Sequence, residues 1–181
     1  MIMELLYKKY ASYNVLAEEH RTFVLDIIKP LLFDGEKAGW NYSENYSGNG
    51  MHTHPGLHLN PKLRLFYDRV VEDFKTLVRK EPVIKNSWAL WTNGQYVNWH
   101  THQTLSMPDG TIVPSGVDFS IVYYLKQHPT IGRSTQFEDG SAVTSPQNSL
   151  LIFDSKISHS VPSSTIKINR YSIVIDVSID L

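Results

Sequence analysis

From Pro82 onward the chain breaks into short β-rich runs separated by turn residues, and no long helix fits between them. The runs are 84–92, 96–102, 118–126, 134–138, 149–153 and 170–177. Asn93-Gly94, between the first two, is a strong hairpin signal. Pro108-Asp109-Gly110, Glu138-Asp139-Gly140 and Ser145-Pro146-Gln147-Asn148 mark further turns. The first third reads as helical: Val15, Leu16, Phe23, Ile27 and Leu31 fall near helical spacing, and Pro30 with Asp34-Gly35 closes the segment. Residues 40–61, rich in Asn, Ser, Gly, Tyr and His, read as a long loop. Asn60 as N-cap and Pro61 at the first helical position open a second helix, with Leu63, Phe66, Val70, Val71, Phe74, Leu77 and Val78 as its apolar stripe. Helices followed by at least six strands predict an α+β protein, a β-sandwich or barrel carrying helices on one face. At 181 residues the chain suits one domain spanning 1–181.

Composition removes several function classes. A formal net charge of −1 offers no electrostatic case for nucleic acid or an acidic membrane. The absence of cysteine excludes disulfides, thiolate metal sites and a cysteine nucleophile, and it fits a reducing compartment. The N-terminal stretch has no long apolar core of a signal-peptide kind, and no apolar run approaches the ~20 residues that span a bilayer. The expectation is a cytoplasmic protein of unknown oligomeric state. Eight histidines are the one unusual feature.

Two of them stand in Asn98-Trp99-His100-Thr101-His102-Gln103. On a strand, residues i and i+2 project from one face, so His100 and His102 can converge on a single ion. Borderline divalent metals accept neutral imidazole nitrogen. An isolated His-x-His is more often a pair of surface histidines on an edge strand. What moves the balance is His159, after the apolar run Leu150-Leu151-Ile152-Phe153, followed eleven residues later by Arg170-Tyr171-Ser172. Arg170 and Ser172 share a strand face, and a guanidinium fork with a neighbouring hydroxyl suits a carboxylate. Alone, Arg170 reads as a surface partner of Asp176 or Asp154, and Ser172 as a small inward residue. Tyr96 and Asn98 share the face of His100 and are pocket candidates; Gln136 and Glu138 share a face that lines the same cavity or meets solvent. A second cluster, His52, His54 and His58, lies in the Gly/Asn-rich loop without a rigid strand to fix ligands. That loop is expected to cover the pocket, with Trp40, Tyr42 and Tyr46 as apolar walls.

The paired histidines, the distal histidine and the Arg-x-Ser together resemble the Fe(II)/2-oxoglutarate-dependent dioxygenases, and among them a prolyl-hydroxylase-like group of oxygenases. The stretches that carry the resemblance are NSWALWTNGQYVNWHTHQ, FSIVYYLKQHP, STQFEDG and NSLLIFDSKISHSVPSSTIKINRYSIVIDV. It implies a double-stranded β-helix, or jelly roll, over roughly 82–181, with helices packed outside. It also implies Fe(II) at His100, His102 and His159, and the 2-oxoglutarate distal carboxylate at Arg170, assisted by Ser172 and Tyr124. The activity implied is oxidative decarboxylation of 2-oxoglutarate with O2, coupled to hydroxylation of a small-molecule or peptide substrate. The family's usual pattern places Asp or Glu where this chain has His102. Three readings of that position stay open: a direct ligand, a neighbour of the metal with water or Asp118 completing the set, or a site for another metal. Two further classes compete. One is a cupin-like three-His metalloenzyme not using 2-oxoglutarate, which leaves Arg170 without a purpose. The other is a metal-free jelly-roll binding module, which leaves the convergent histidines without one.

Overall fold

The computed structural model describes residues 2–5, 9–33, 50–106, 109–128 and 134–179. Its elements, in chain order, are β1 (Ile2–Leu5), β2 (Lys9–Tyr13), α1 (Glu18–Ile28), β3 (Met51–His52), α2 (Arg64–Val78), β4 (Pro82–Asn93) and β5 (Val97–His100). There follow β6 (Thr104–Ser106), β7 (Ile112–Pro114), β8 (Phe119–Lys126), β9 (Thr135–Phe137), β10 (Ala142–Val143), β11 (Ser149–Asp154), β12 (His159–Val161) and β13 (Asn169–Ile179). Seven strands form one sheet in the order β1-β2-β11-β8-β13-β4-β3, four form a second in the order β10-β9-β12-β5, and β6 and β7 pair alone. Every pairing is antiparallel.

Side-chain alternation along the central strands explains the layering. Ile121, Tyr123 and Leu125 of β8, Leu150 and Ile152 of β11, and Ile173, Ile175 and Val177 of β13 point to one side of the large sheet. There they meet Val24, Leu25 and Ile28 of α1 and Leu63, Phe66, Val70 and Phe74 of α2 in the main core. The intervening residues Val122, Tyr124, Leu151 and Phe153 point to the other side and pack with Phe137 of the small sheet. Strands covered on both faces therefore read as continuous apolar runs. Lys9 ties the sheets together: its ammonium pairs with Asp139 and lies 4.2 Å from the centre of the Phe137 ring. The architecture is the two-sheet jelly roll with helices on one face, as the resemblance implied.

Three expectations need correction. The first third is not helical throughout: residues 2–5 and 9–13 are strands paired antiparallel, and the helix covers only Glu18–Ile28. β2 is a strand because it pairs with β11, a partner far along the chain. Val15 and Leu16 precede the helix in an extended segment held by Asn148, whose side chain bonds Leu16 at both backbone groups. The buried stripe of α1 is Val24, Leu25 and Ile28, whereas Phe23 and Leu31 are exposed. Second, Asn93-Gly94 does not join a hairpin. Gly94, at φ +89°, turns the chain from β4 in the large sheet to β5 in the small one, and its carbonyl accepts from the Ser164 amide at 2.8 Å. Third, the strand proposed for 96–102 ends at His100, so His102 lies just past it. Asn60 does cap the second helical segment, accepting from the Lys62 amide at 3.1 Å over a 3-10 turn at Pro61–Leu63 that leads into α2.

Candidate metal centre

The second face of the large sheet and the small sheet enclose the site. β5 and β12 pair so that His100 and His159 stand directly opposite one another, with ring centres 4.2 Å apart. His102 enters from the segment after β5. Its backbone amide donates to Ser155 at 3.0 Å, and its ring stacks on Trp88 at 5.9 Å and 14°. One ring nitrogen from each of His100, His102 and His159 lies within 4.8 Å of the other two. Among the described residues this is the one His/Asp/Glu group close enough to hold a metal.

The remaining nitrogens show what the rings are prepared to do. Each Nδ1 faces an acceptor: His100 the Asn98 carbonyl at 2.7 Å, His159 the Ile157 carbonyl at 3.1 Å, and His102 the Asp176 carboxylate at 2.8 Å. An acceptor at Nδ1 places the proton there, and the nitrogen left to each ring for coordination is Nε2, with its lone pair free. Burial pushes the His100 pKa down to about 4, with the adjacent His102 adding to the effect. Burial, then the His100 and His102 neighbours, holds His159 well below the ordinary imidazole range. Three convergent imidazoles with oriented second nitrogens, two of them held neutral by burial, fit a divalent metal, and they do not fit a surface His-x-His. Asp118, the alternative third donor, is committed elsewhere: it accepts from the Ile179 amide at 2.9 Å.

This arrangement has a measurable cost in the metal-free protein. The unfolded chain protonates His100 near pH 6.5 and the folded one near 4, so folding loses stability as pH falls through that window and keeps the full penalty below it. The penalty approaches about 3 kcal/mol for His100, and His159 acts in the same direction. Metal-free protein should therefore melt at lower temperature at pH 5 than at pH 7.5, and His100→Asn should flatten that dependence. A melting temperature equally pH-sensitive in the variant would refute the assignment.

Arg170 and Ser172 lie two positions apart on β13, both buried, on the face away from Ile173 and Ile175 of the main core. Arg170 is 4% exposed, and burial lowers its pKa while the nearby Tyr124 opposes the change. Its Nε donates to Gln127 Oε1 at 3.3 Å and its guanidinium lies 5.2 Å from the Tyr124 ring centre. Among the described residues no carboxylate pairs with it. Neither Asp176 nor Asp154 is its partner. The Tyr124 hydroxyl shares a 2.8 Å hydrogen bond with Thr135, and Ser172 sits opposite Tyr124 in the β13–β8 register. Asn98 contributes its carbonyl to His100, Tyr96 is 43% exposed, and Gln136 is exposed on β9 while Thr135 and Phe137 point inward.

His52 is buried on β3, His54 packs tilted against Phe33 with ring centres 4.4 Å apart, and His58 meets the edge of Tyr67, so the three do not form a metal group. Trp40, Tyr42 and Tyr46 lie outside the described residues. Two site neighbours, Gln127 and Thr135, went unnoticed in the sequence, and Asp176 reads there only as a surface partner of Arg170. Only Asp176 carries a signal there, an acidic residue in phase with Arg170 and Ser172 within an otherwise apolar strand.

No family model matches the sequence, and no curated protein matches it. Solved structures do match in shape. The non-heme alpha ketoglutarate dependent epimerase SnoN from nogalamycin biosynthesis is 11% identical with a TM-score of 0.68, over 94% of this chain and 77% of that one. HygX from Streptomyces hygroscopicus, crystallised with nickel and 2-oxoglutarate, is 10% identical with a TM-score of 0.66, over 95% and 83%. A Trichoplax adhaerens prolyl hydroxylase, in complex with a hypoxia inducible factor peptide fragment, is 16% identical with a TM-score of 0.68, over 96% and 84%. At these identities the likeness establishes architecture: the chain has the double-stranded β-helix fold of the Fe(II)/2-oxoglutarate-dependent oxygenases, with three histidines gathered inside it.

Proposed function

We propose that this protein is a single-domain, non-haem Fe(II)- and 2-oxoglutarate-dependent dioxygenase that hydroxylates a carbon of a small-molecule or peptide substrate, a free or peptidyl amino-acid side chain being the favoured class. The observation that carries the reading is a buried guanidinium with no carboxylate partner among the described residues, together with three histidines convergent on one point. An arginine so placed is costly unless an anion arrives to meet it. His102 stacks on Trp88, which opposes Val174, four residues from Arg170 on the same strand. That is about 13 Å along β13, a gap that an arginine side chain and a five-carbon 2-oxo diacid bridge together.

In this reading His100, His102 and His159 hold Fe(II) through Nε2. Bound iron with 2-oxoglutarate supplies the O2-dependent decarboxylation that oxidises the substrate. Arg170 receives the distal carboxylate in a bidentate pair, with Gln127 fixing the plane of the guanidinium through Nε. Ser172 and Tyr124 add hydroxyls beside that carboxylate. Phe137, Phe153 and Trp88 line the histidines with apolar surface and limit water.

The likeness to both an epimerase and a prolyl hydroxylase leaves hydroxylation as a proposal drawn from the second. A three-His enzyme of the cupin kind, without 2-oxoglutarate, is favoured by His102 alone and leaves Arg170 unexplained. Among the described residues no helix is long and apolar enough to cross a membrane; we place the protein in the cytoplasm, where 2-oxoglutarate and Fe(II) are at hand.

The test is anaerobic addition of Fe(II) followed by 2-oxoglutarate. A weak visible charge-transfer band should develop only when both are present. Folded protein that binds Fe(II) and shows no such band would overturn the oxygenase reading.

A further inference from the structure

The three imidazoles differ in what stands behind them. His100 and His159 lean on backbone carbonyls, whereas His102 leans on a carboxylate. Asp176 Oδ1 accepts two hydrogen bonds, from His102 Nδ1 at 2.8 Å and from Ser120 Oγ at 3.0 Å. Both contacts converge on one carboxyl oxygen, which fixes the side chain against the His102 ring. Asp176 is buried on β13, its opposite residue Ser120 on β8 is fully buried, and among the described residues neither lysine nor arginine pairs with it. A buried carboxylate whose one ionic partner is an imidazole is poorly compensated unless positive charge resides on the far side of that ring.

We propose that Asp176 supplies, through His102, the negative charge that a metal centre of three neutral imidazoles otherwise lacks. This rests on the metal reading of the three histidines given above. A divalent ion with two histidines and one carboxylate has a net charge of +1, and with three neutral histidines +2. Here the carboxylate is displaced outward by the length of one imidazole. From there it makes Nε2 of His102 a stronger donor and lowers the effective charge felt by the ion. It also sets the angle of the ring, which Trp88 supports from one face. Asp176 is thus a positioning and charge-compensating residue. It explains how a histidine stands where a carboxylate ligand is usual.

The experiment compares wild-type protein, Asp176→Asn and the double variant His102→Asp/Asp176→Asn. Co(II) affinity is read by competition with a chromogenic chelator, and the Fe(III)/Fe(II) midpoint potential by redox titration. Asp176→Asn preserves the shape and an acceptor oxygen and removes the charge. It should weaken Co(II) binding about 10- to 100-fold and raise the potential, because the ferric ion loses more than the ferrous one. A tenfold difference between the two states corresponds to about 59 mV. The double variant returns one negative charge, now in direct contact with the ion, and should bind Co(II) within a few-fold of wild type. If Asp176→Asn does not fold, this variant carries the test, and a folded double variant that binds no Co(II) overturns the proposal. Unchanged affinity and potential in folded Asp176→Asn overturn it too, with the metal site itself left standing. Wild-type protein that binds no metal removes both together.

Discussion

Replacing Arg170 by alanine is expected to leave Fe(II) binding in place and to weaken 2-oxoglutarate binding by about 30- to several-thousand-fold, corresponding to the 2–5 kcal/mol lost when one member of a buried charge-assisted pair is removed. The separation of effects follows from geometry. Arg170 touches Gln127 and the Tyr124 ring, and none of the three histidines bonds to it. Metal titration should therefore reproduce wild type, while the charge-transfer band should require far higher 2-oxoglutarate. The variant also relieves the cost of a buried cation that has no carboxylate partner among the described residues, so its metal-free form should be no less stable than wild type beyond the packing lost from the side chain's stem. Normal cosubstrate binding in Arg170→Ala would remove the guanidinium from the site. Arg170→Lys separates charge from fork: an ammonium restores the charge without the two parallel donors, and only partial recovery is expected.

How far the fold could be read in advance depended on where each element's reason lies. β8, β11 and β13 are buried on both faces, so their apolar runs announce strands without reference to any partner. α2 carries its own stripe and its own cap at Asn60. β2 has no such local reason; Lys9–Tyr13 is a strand because β11 supplies its ladder, and spacing in the sequence around it mimics a helix instead. The turn at Asn93-Gly94 was legible as a turn, since Gly94 takes a left-handed conformation. Which strand β5 would then pair with was not, because that choice is made by β12, more than fifty residues on.

The site divides in the same way. His100 and His102 share a motif, and His159 with Arg170 and Ser172 follow a spacing, so all five could be singled out. The groups that prepare them are carbonyls and polar side chains brought across strands, and no spacing announces those. Gln127 reaches Arg170 from the end of β8, and Thr135 reaches Tyr124 from the other sheet. Asp176 reads as a surface charge until the β13 register turns it inward beside Ser120. Position 102 shows the consequence most clearly: the sequence has His where a carboxylate is usual, and the structure places the Asp176 carboxylate behind that ring, at Nδ1.

His159→Ala should abolish metal binding, the largest single effect expected at this site. His159 is the one donor contributed by β12, and it faces His100 directly across the β5–β12 pair. Without it the two remaining imidazoles belong to one short segment and occupy one side of the ion, and no other described His, Asp or Glu is close enough to replace it. The ring also packs on Phe153 at 4.6 Å and faces Phe137 at 6.2 Å, so its removal leaves a gap in a buried wall. A ring that only fills space and a ring that binds an ion then predict different thermal behaviour. In either case His159→Ala melts below wild type in the absence of metal. Adding Co(II) at 100 times its dissociation constant stabilises a binding protein by about 2.7 kcal/mol, so wild type should gain several degrees and the variant none. A variant that gains as much from Co(II) as wild type would show that His159 is a packing residue, and with it the three-histidine centre would fall.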